Sequence, residues 1–284
     1  MDSDFFSLRY WSWGHRVNII LPFLCIFIFY LILKNRTAKT QKIVISILMM
    51  INVIQHLFKP WFWYSLYLGE IDIDRIFFCN VCASIILLSP VTFLCKNKAL
   101  KDATFFLGVL GGIFALWFIT EKNVKSITHP DYIRFLFCHT LLMTTSSLPV
   151  LLGLHKLNIK NFWIVGLSFY ALQIIVVGNN MLIYAWNNNF DWGHAYQHLY
   201  KRNELFICHP PASSIYKAAF GIDLQSGYMV YDSTRTYIPI FWNFPIFFPL
   251  LSLFTLIATW LMSYLKIDEY YLASRKFKII KNRL

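Results

Sequence analysis

The sequence predicts an all-α membrane protein, a bundle of about seven transmembrane helices. Three observations carry that reading. The 284-residue chain is 57% hydrophobic and 19% aromatic but only 14% charged, where a soluble domain carries about 25% charged residues. Apolar runs of about 18 residues or more recur along it, each long enough to cross a bilayer. The runs are continuous, unlike the short alternating segments of an outer-membrane barrel. A large soluble domain with buried helices is the alternative, and this composition disfavours it.

The formal net charge is +12. In a soluble protein that points towards nucleic acid. Here many of the basic residues lie in short loops between spans, and no RNA- or DNA-binding motif accompanies them. The expected partners are therefore membrane lipids, anionic ones above all, and not nucleic acid. Six cysteines occur, Cys25, Cys79, Cys82, Cys95, Cys138 and Cys208. Most fall inside predicted spans, so no disulfide framework is implied. The chain starts Met1-Asp2-Ser3-Asp4-Phe5-Phe6, which is not a basic region leading into an apolar core. The first span is expected to stay in the membrane.

The elements follow in order within a single polytopic membrane domain, residues 1–284. Spans are expected at about 17–33, 43–64, 76–94, 103–119, 132–154, 162–186 and 238–265. Tyr10, Trp11 and Trp13 precede the first, and Trp61 and Trp63 end the second; they read as interfacial anchors. The fourth is short and holds Gly108, Gly111 and Gly112, which read as close helix packing. The stretch 187–237 is the one long hydrophilic segment, expected to form a partly ordered external cap. Residues 266–284 form a basic tail.

Lysine and arginine counts set an expected orientation. One set of loops holds Lys34, Arg36, Lys39 and Lys42, then Lys96, Lys98 and Lys101, then Lys156 and Lys160. The tail continues that side. The positive-inside rule then puts the N-terminus outside and the C-terminus in the cytoplasm of a cell membrane protein.

Polar residues concentrate at one level. In the second span Asn52, Gln55, His56 and Lys59 stand at i, i+3, i+4 and i+7, one face of a helix. A charged side chain at a helix centre costs about 2.5–3.5 kcal/mol on insertion scales, so this face is expected to avoid lipid. The third span opens Phe78-Cys79-Asn80-Val81-Cys82, with Cys79 and Cys82 near one another on one helix face and Asn80 on the side of Ser84. The fifth supplies Arg134 and His139, the sixth Gly166, Tyr170, Gln173, Val177, Asn179 and Asn180, and the seventh Trp242 and Asn243. With alternating span directions, His56, Lys59, Cys79, His139, Asn180 and Asn243 stand near the same ends of their spans, most of them about 5–15 Å below the same membrane surface at 1.5 Å per residue. A one-sided polar pocket follows as an expectation. Interhelical hydrogen bonding that merely holds the bundle together is the bland reading of the same stripe.

Phe78-Cys79-Asn80-Val81-Cys82, Tyr132-Ile133-Arg134-Phe135-Leu136-Phe137-Cys138-His139 and Val177-Gly178-Asn179-Asn180-Met181 resemble the YwaF-type family of bacterial integral membrane proteins. The likeness runs from about Val17 to Met181, with a looser match in the last span. That family is similar to eukaryotic transmembrane protein 164, a proposed acyltransferase that remodels ether phospholipids through a membrane cysteine and histidine. By position the resemblance implies Cys79 for the cysteine and His139 for the histidine. The cysteine of transmembrane protein 164 is followed by histidine; here Asn80 stands in that place.

The sequence thus offers several chemistries. In the first, thiol acyl transfer or lipid ester hydrolysis, Cys79 is the nucleophile, His139 its base, and Asn80 or Asn180 an orienting or oxyanion donor. In the second, a non-catalytic transporter, lipid-binding or membrane-assembly protein, Asn52, His56, Lys59, Asn80, Cys82, Arg134, Asn179 and Asn180 line a pocket where Lys59 or Arg134 meets phosphate. No internal repeat or pair of broken helices accompanies it. A metal site from His194, His198, Cys208 and His209 is a third option, but no glutamate stands beside His194 as in zinc proteases. No metal or cofactor is expected.

Overall fold

The computed structural model describes residues 12–59, 77–117, 129–193, 195, 223–225, 228–230 and 244–264. Seven α-helices stand among them: α1 (Trp13–Leu33), α2 (Ala38–Leu57), α3 (Val81–Leu94), α4 (Lys98–Trp117), α5 (Pro130–Leu151), α6 (Phe162–Asn187) and α7 (Phe244–Tyr264). A 3₁₀ turn, Ile159–Asn161, leads into α6. Within the hydrophilic stretch 187–237, β1 (Asp223–Gln225) and β2 (Tyr228–Val230) pair antiparallel, Leu224 opposite Met229. The anchors Tyr10, Trp11, Trp61 and Trp63, the residues Trp242 and Asn243, and the tail 266–284 lie outside the described residues.

Local sequence explains where helices begin. Ser12 accepts from His15 N–H, Thr37 from Thr40 N–H and Asn80 from Ala83 N–H, each a side-chain oxygen satisfying a donor the helix leaves over. Pro130 opens α5, where its missing N–H costs nothing. Several starts differ from the sequence expectation: α1, α2 and α4 begin earlier, at Trp13, Ala38 and Lys98, and one shift in the other direction bears on the cysteines. The third helix begins at Val81 rather than near residue 76, because Asn80 takes an extended backbone and caps it. Cys79 therefore precedes the helix instead of sharing a face with Cys82.

Five helical segments are long and apolar enough to cross a membrane, within α1, α2, α4, α6 with its leading 3₁₀ turn, and α7. The apolar α3 is shorter. The remaining helix, α5, is long but too polar to qualify, and its surroundings explain that. It packs against α1, α2 and α4, and every residue from Cys138 to Val150 is buried. A helix walled by protein does not have to be apolar all round. Thr144 and Thr145 donate their hydroxyls to the Thr140 and Leu141 carbonyls, so much of the added polarity is met within the helix.

Two apolar clusters fix the ends of this central helix. Tyr132, Phe135 and Met143 of α5 pack with Ala115 and Leu116 of α4. Leu148 and Leu152 pack with Leu33, Ile45 and Met49 from α1 and α2. Asn18 donates to the Tyr132 hydroxyl, and the His15 ring meets the Trp117 carbonyl at 2.9 Å, tying α1 to the first turn of α5 and the last of α4.

Between apolar helices in lipid, close packing replaces the hydrophobic effect as the driving force. The α4 glycines supply it. A Cβ on Gly108 would overlap Ser146, one on Gly112 would overlap Met143, and one on Gly111 would touch Cys82 Sγ at 3.4 Å. Gly112→Leu should therefore pry α4 from α5 and destabilise the bundle by about 1–3 kcal/mol or more. Thermal unfolding in detergent measures it, with Gly178→Ala as the control, since nothing lies within 4 Å of that position. Equal melting of the two variants would show that the helix contact tolerates side chains.

Candidate functional site: thiols, histidines and cations at one end of the bundle

The amino ends of α3 and α5 and the carboxyl ends of α2 and α6 meet at one end of the bundle. Each contributes polar residues to a shared cluster. On α2, Asn52 and His56 are buried while Gln55 is half-buried, as is Lys59 just beyond its end. Asn52 Nδ2 donates to the Cys138 carbonyl at 3.2 Å, and Asn52 Oδ1 accepts from Gln55 Nε2 at 2.6 Å. The polar stripe on α2 thus turns inward onto α5. His56 Nε2 lies 3.2 Å from the Phe77 carbonyl, so it donates there and secures the segment entering α3.

Cys79 lies on that segment, 5% exposed. Asn180 Nδ2 of α6 donates to the Cys79 carbonyl at 3.3 Å, and Asn180 Oδ1 accepts from Asn179 Nδ2 at 3.2 Å. Asn180 thereby positions the cysteine backbone, and Asn179 steadies Asn180. Asn80 works at the next residue. Its Oδ1 accepts from Ala83 N–H at 2.8 Å, and its carbonyl accepts from the Ser84 backbone and hydroxyl, each at 3.0 Å. The Val81 and Cys82 N–H groups are then the leading helix donors, which have no intrahelical partner by geometry. They stand next to Cys79 at the positive end of the α3 dipole, a place that favours developing negative charge. Asn80→Ala should cost about 1 kcal/mol of stability through loss of the cap, read as a lowered melting temperature; an unchanged one would place the start of α3 under other control.

Cys82 points from α3 towards α4, its Sγ 3.9 Å from the Gly111 carbonyl. Cys79 lies within electrostatic range of both Cys82 and Cys138, so three thiols from two elements gather here. His139 is 8% exposed, its ring 4.3 Å from that of Phe135 between centroids. Its Nδ1 lies 2.9 Å from the Phe135 carbonyl. A carbonyl only accepts, so in the neutral ring Nδ1 carries the proton and Nε2 keeps the lone pair. Arg134, Lys59 and His56 all lie within electrostatic range of this ring, and Lys59 also reaches the fields of Cys82 and Cys138.

The structure thus collects Asn52, His56, Lys59, Cys79, Asn80, Cys82, Arg134, His139, Asn179 and Asn180 at one end of the bundle. It does not join Cys79 to His139 by a hydrogen bond. Cys138 belongs to the cluster as well, though the sequence marked it only as the neighbour of His139. The adjacent residue on a helix points about 100° away, and only the α2–α3–α5 packing reveals that both directions are interior. Among the described residues, no group of three or more His, Cys, Asp and Glu is arranged to hold a metal ion. His194, His198, Cys208 and His209 lie outside the described residues. The chemistry this end offers is nucleophilic and anion-binding: thiols, an imidazole lone pair, backbone donors and two nearby cations.

No curated protein and no solved structure matches the chain. The family model for the TMEM164 family does match, over residues 5–264, which spans all seven helices and every residue of this cluster. The chain therefore belongs to the TMEM164 family of membrane proteins.

Proposed function

We propose that the protein transfers acyl groups between membrane lipids through a thioester on Cys79, with His139 as the base. The observation that carries this reading is the placement of Cys79. It is buried ahead of the amino end of α3, held there by Asn180 from α6, in a cluster that includes the imidazole of His139. Nε2 of His139 takes the thiol proton, and the sulfur attacks the carbonyl of a lipid ester. The tetrahedral oxyanion is met by the Val81 and Cys82 N–H groups. The ester C–O bond breaks, the leaving lysolipid oxygen takes the proton from His139, and a thioester remains. A second lipid hydroxyl, deprotonated by His139, attacks the thioester, and the thiol of Cys79 is restored. With water as the acceptor, the same path is hydrolysis.

Within the family, the Phe78–Cys82 and Tyr132–His139 motifs support the narrower bacterial YwaF-type placement. The basic loops around Lys34, Lys96 and Lys156 support a multi-pass protein of the cell membrane with its N-terminus outside and its C-terminus cytoplasmic. The Cys79 cluster then faces the outer leaflet. A non-catalytic role in lipid binding, transport or membrane assembly is the second reading, and the missing Cys79–His139 hydrogen bond favours it. Lipid profiles of cells with and without the protein separate the two. Under acyl transfer the phospholipid acyl composition shifts when the gene is deleted and returns on re-expression. Identical profiles would sink the catalytic reading.

A further inference from the structure

The geometry points to a second site at the opposite end of the bundle, a cleft that seats the phosphate of an anionic phospholipid. It stands independently of the acyl-transfer reading. The cleft has a volume of about 130 Å³ and opens among α2, α3, α4 and α5, large enough for a phosphate group and its neighbours but not for a whole lipid. Ten residues of α5 separate His139 from Pro149 on its wall, about 15 Å at 1.5 Å per residue. It is therefore distinct from the thiol–histidine cluster.

Three features converge on a phosphate. Lys42 near the start of α2 and Lys101 near the start of α4 both line the cleft. Neither pairs with a carboxylate among the described residues. Asp102, the acid beside Lys101, is engaged instead by His155 at 2.6 Å and Asn161 at 2.7 Å, and Lys101 Nζ lies 6.0 Å from the Phe93 ring centroid, a contact that leaves its charge available to an anion. The third feature is Ser146. It lines the cleft, is 3% exposed, and its Oγ has no hydrogen-bond partner. A buried hydroxyl without a partner is costly; the Oγ abuts Gly108, and a χ1 turn away from it would present the hydroxyl to a phosphate oxygen in the cleft. Thr145, alongside, already donates to the Leu141 carbonyl at 2.8 Å, which leaves its oxygen only as an acceptor.

An amphiphile fits better than a soluble ion because of the rim. Phe93, Leu94, Phe105 and Leu154 share the lining with the lysines, and Leu94 is 72% exposed. Acyl chains can run along that apolar edge while the headgroup turns inward. The two lysines stand near helix amino ends, where long cationic side chains reach for a membrane–water interface. Basic pockets between helices at that level are the usual way membrane proteins hold anionic headgroups.

Native mass spectrometry of the full-length protein, released from phosphatidylcholine nanodiscs containing a minority of phosphatidylglycerol, tests the site. The wild type should retain phosphatidylglycerol selectively, and Lys42→Gln/Lys101→Gln should lose that retention by about tenfold or more. Lys96→Gln/Lys160→Gln removes the same charge outside the cleft and should retain the lipid. Three results would overturn the site: no preference for phosphatidylglycerol, an equal loss in the two double variants, or displacement of the lipid by millimolar inorganic phosphate, which marks a free-phosphate site. Should the Lys42/Lys101 double variant not purify folded, Lys42→Gln alone decides by the same criteria, since Lys42 is exposed and its charge can be removed without disturbing packing.

Discussion

Cys79→Ala is expected to abolish acyl exchange by the purified protein, a loss on the order of a thousandfold or more, because the covalent intermediate can no longer form. His139→Ala should lose about 10²–10⁴-fold, the usual weight of a positioned general base. Combining the two should cost little more than Cys79→Ala alone, since groups that act as a unit are not additive. Asn180→Ala belongs to a different class. It removes the 3.3 Å hold on the Cys79 carbonyl but no reacting atom, so its loss should be partial. The measurement follows a labelled acyl chain from a phospholipid donor to a lysolipid acceptor in detergent micelles, with melting temperatures recorded alongside. Trapping of the labelled acyl group as a thioester in wild type, and its absence in Cys79→Ala, is the direct signature. Full activity in a folded Cys79→Ala protein would remove the cysteine from the mechanism. Transfer to Cys82 or Cys138 would then be the next explanation, because both thiols lie in its field.

Asp102→Ala should produce the largest loss of stability from a single polar side chain at the opposite end. Asp102 is 2% exposed. Its Oδ1 meets His155 Nε2 at 2.6 Å, and its Oδ2 accepts from Asn161 Nδ2 at 2.7 Å and from the Asn158 backbone N–H at 3.3 Å. One carboxylate thus ties the first turn of α4 to the connection between α5 and α6. Alanine would strand three buried or part-buried donors at once. Breaking a buried polar pair from one side costs about 3–5 kcal/mol, because the partner keeps its desolvation penalty. Asp102→Asn retains one acceptor oxygen and a similar shape, so it should fall between alanine and wild type. Thermal unfolding in detergent measures both. An alanine variant that melts with the wild type would mean the connection is held by its apolar contacts alone, through Leu157 and Val150.

The network at Asp102 had no clear signal in the sequence, where it reads as a single acid inside a lysine-rich loop. Its partners are more than fifty residues away in the chain. The α2 stripe was the opposite case. Asn52, Gln55, His56 and Lys59 shared a helix face by spacing alone, and the structure turns Asn52 and His56 into the interior. The glycines of α4 were legible for a similar reason. Closely spaced small residues in an apolar helix have few uses other than close approach, and Gly108, Gly111 and Gly112 each meet a neighbouring helix.

By itself the sequence determined the class of the molecule, an all-α membrane protein. Long apolar runs can be satisfied in a bilayer only as helices with their backbone bonds internal, and that argument needs no tertiary contact. It also pointed to residues costly enough in an apolar setting to call for an interior position, and His56, Arg134 and His139 are buried. Tertiary structure decided the rest. Whether α3 starts before or after Cys79 depended on a cap, and the Asn80 side chain settles it by reaching Ala83. Which thiols meet depended on how α2, α3 and α5 turn about their axes. The cleft at the lysine-rich end is lined by residues that four helices bring together. A helix face is set by the 3.6-residue period, which is local; the partner of that face is set by side-chain shape across the bundle, which no single stretch of chain contains.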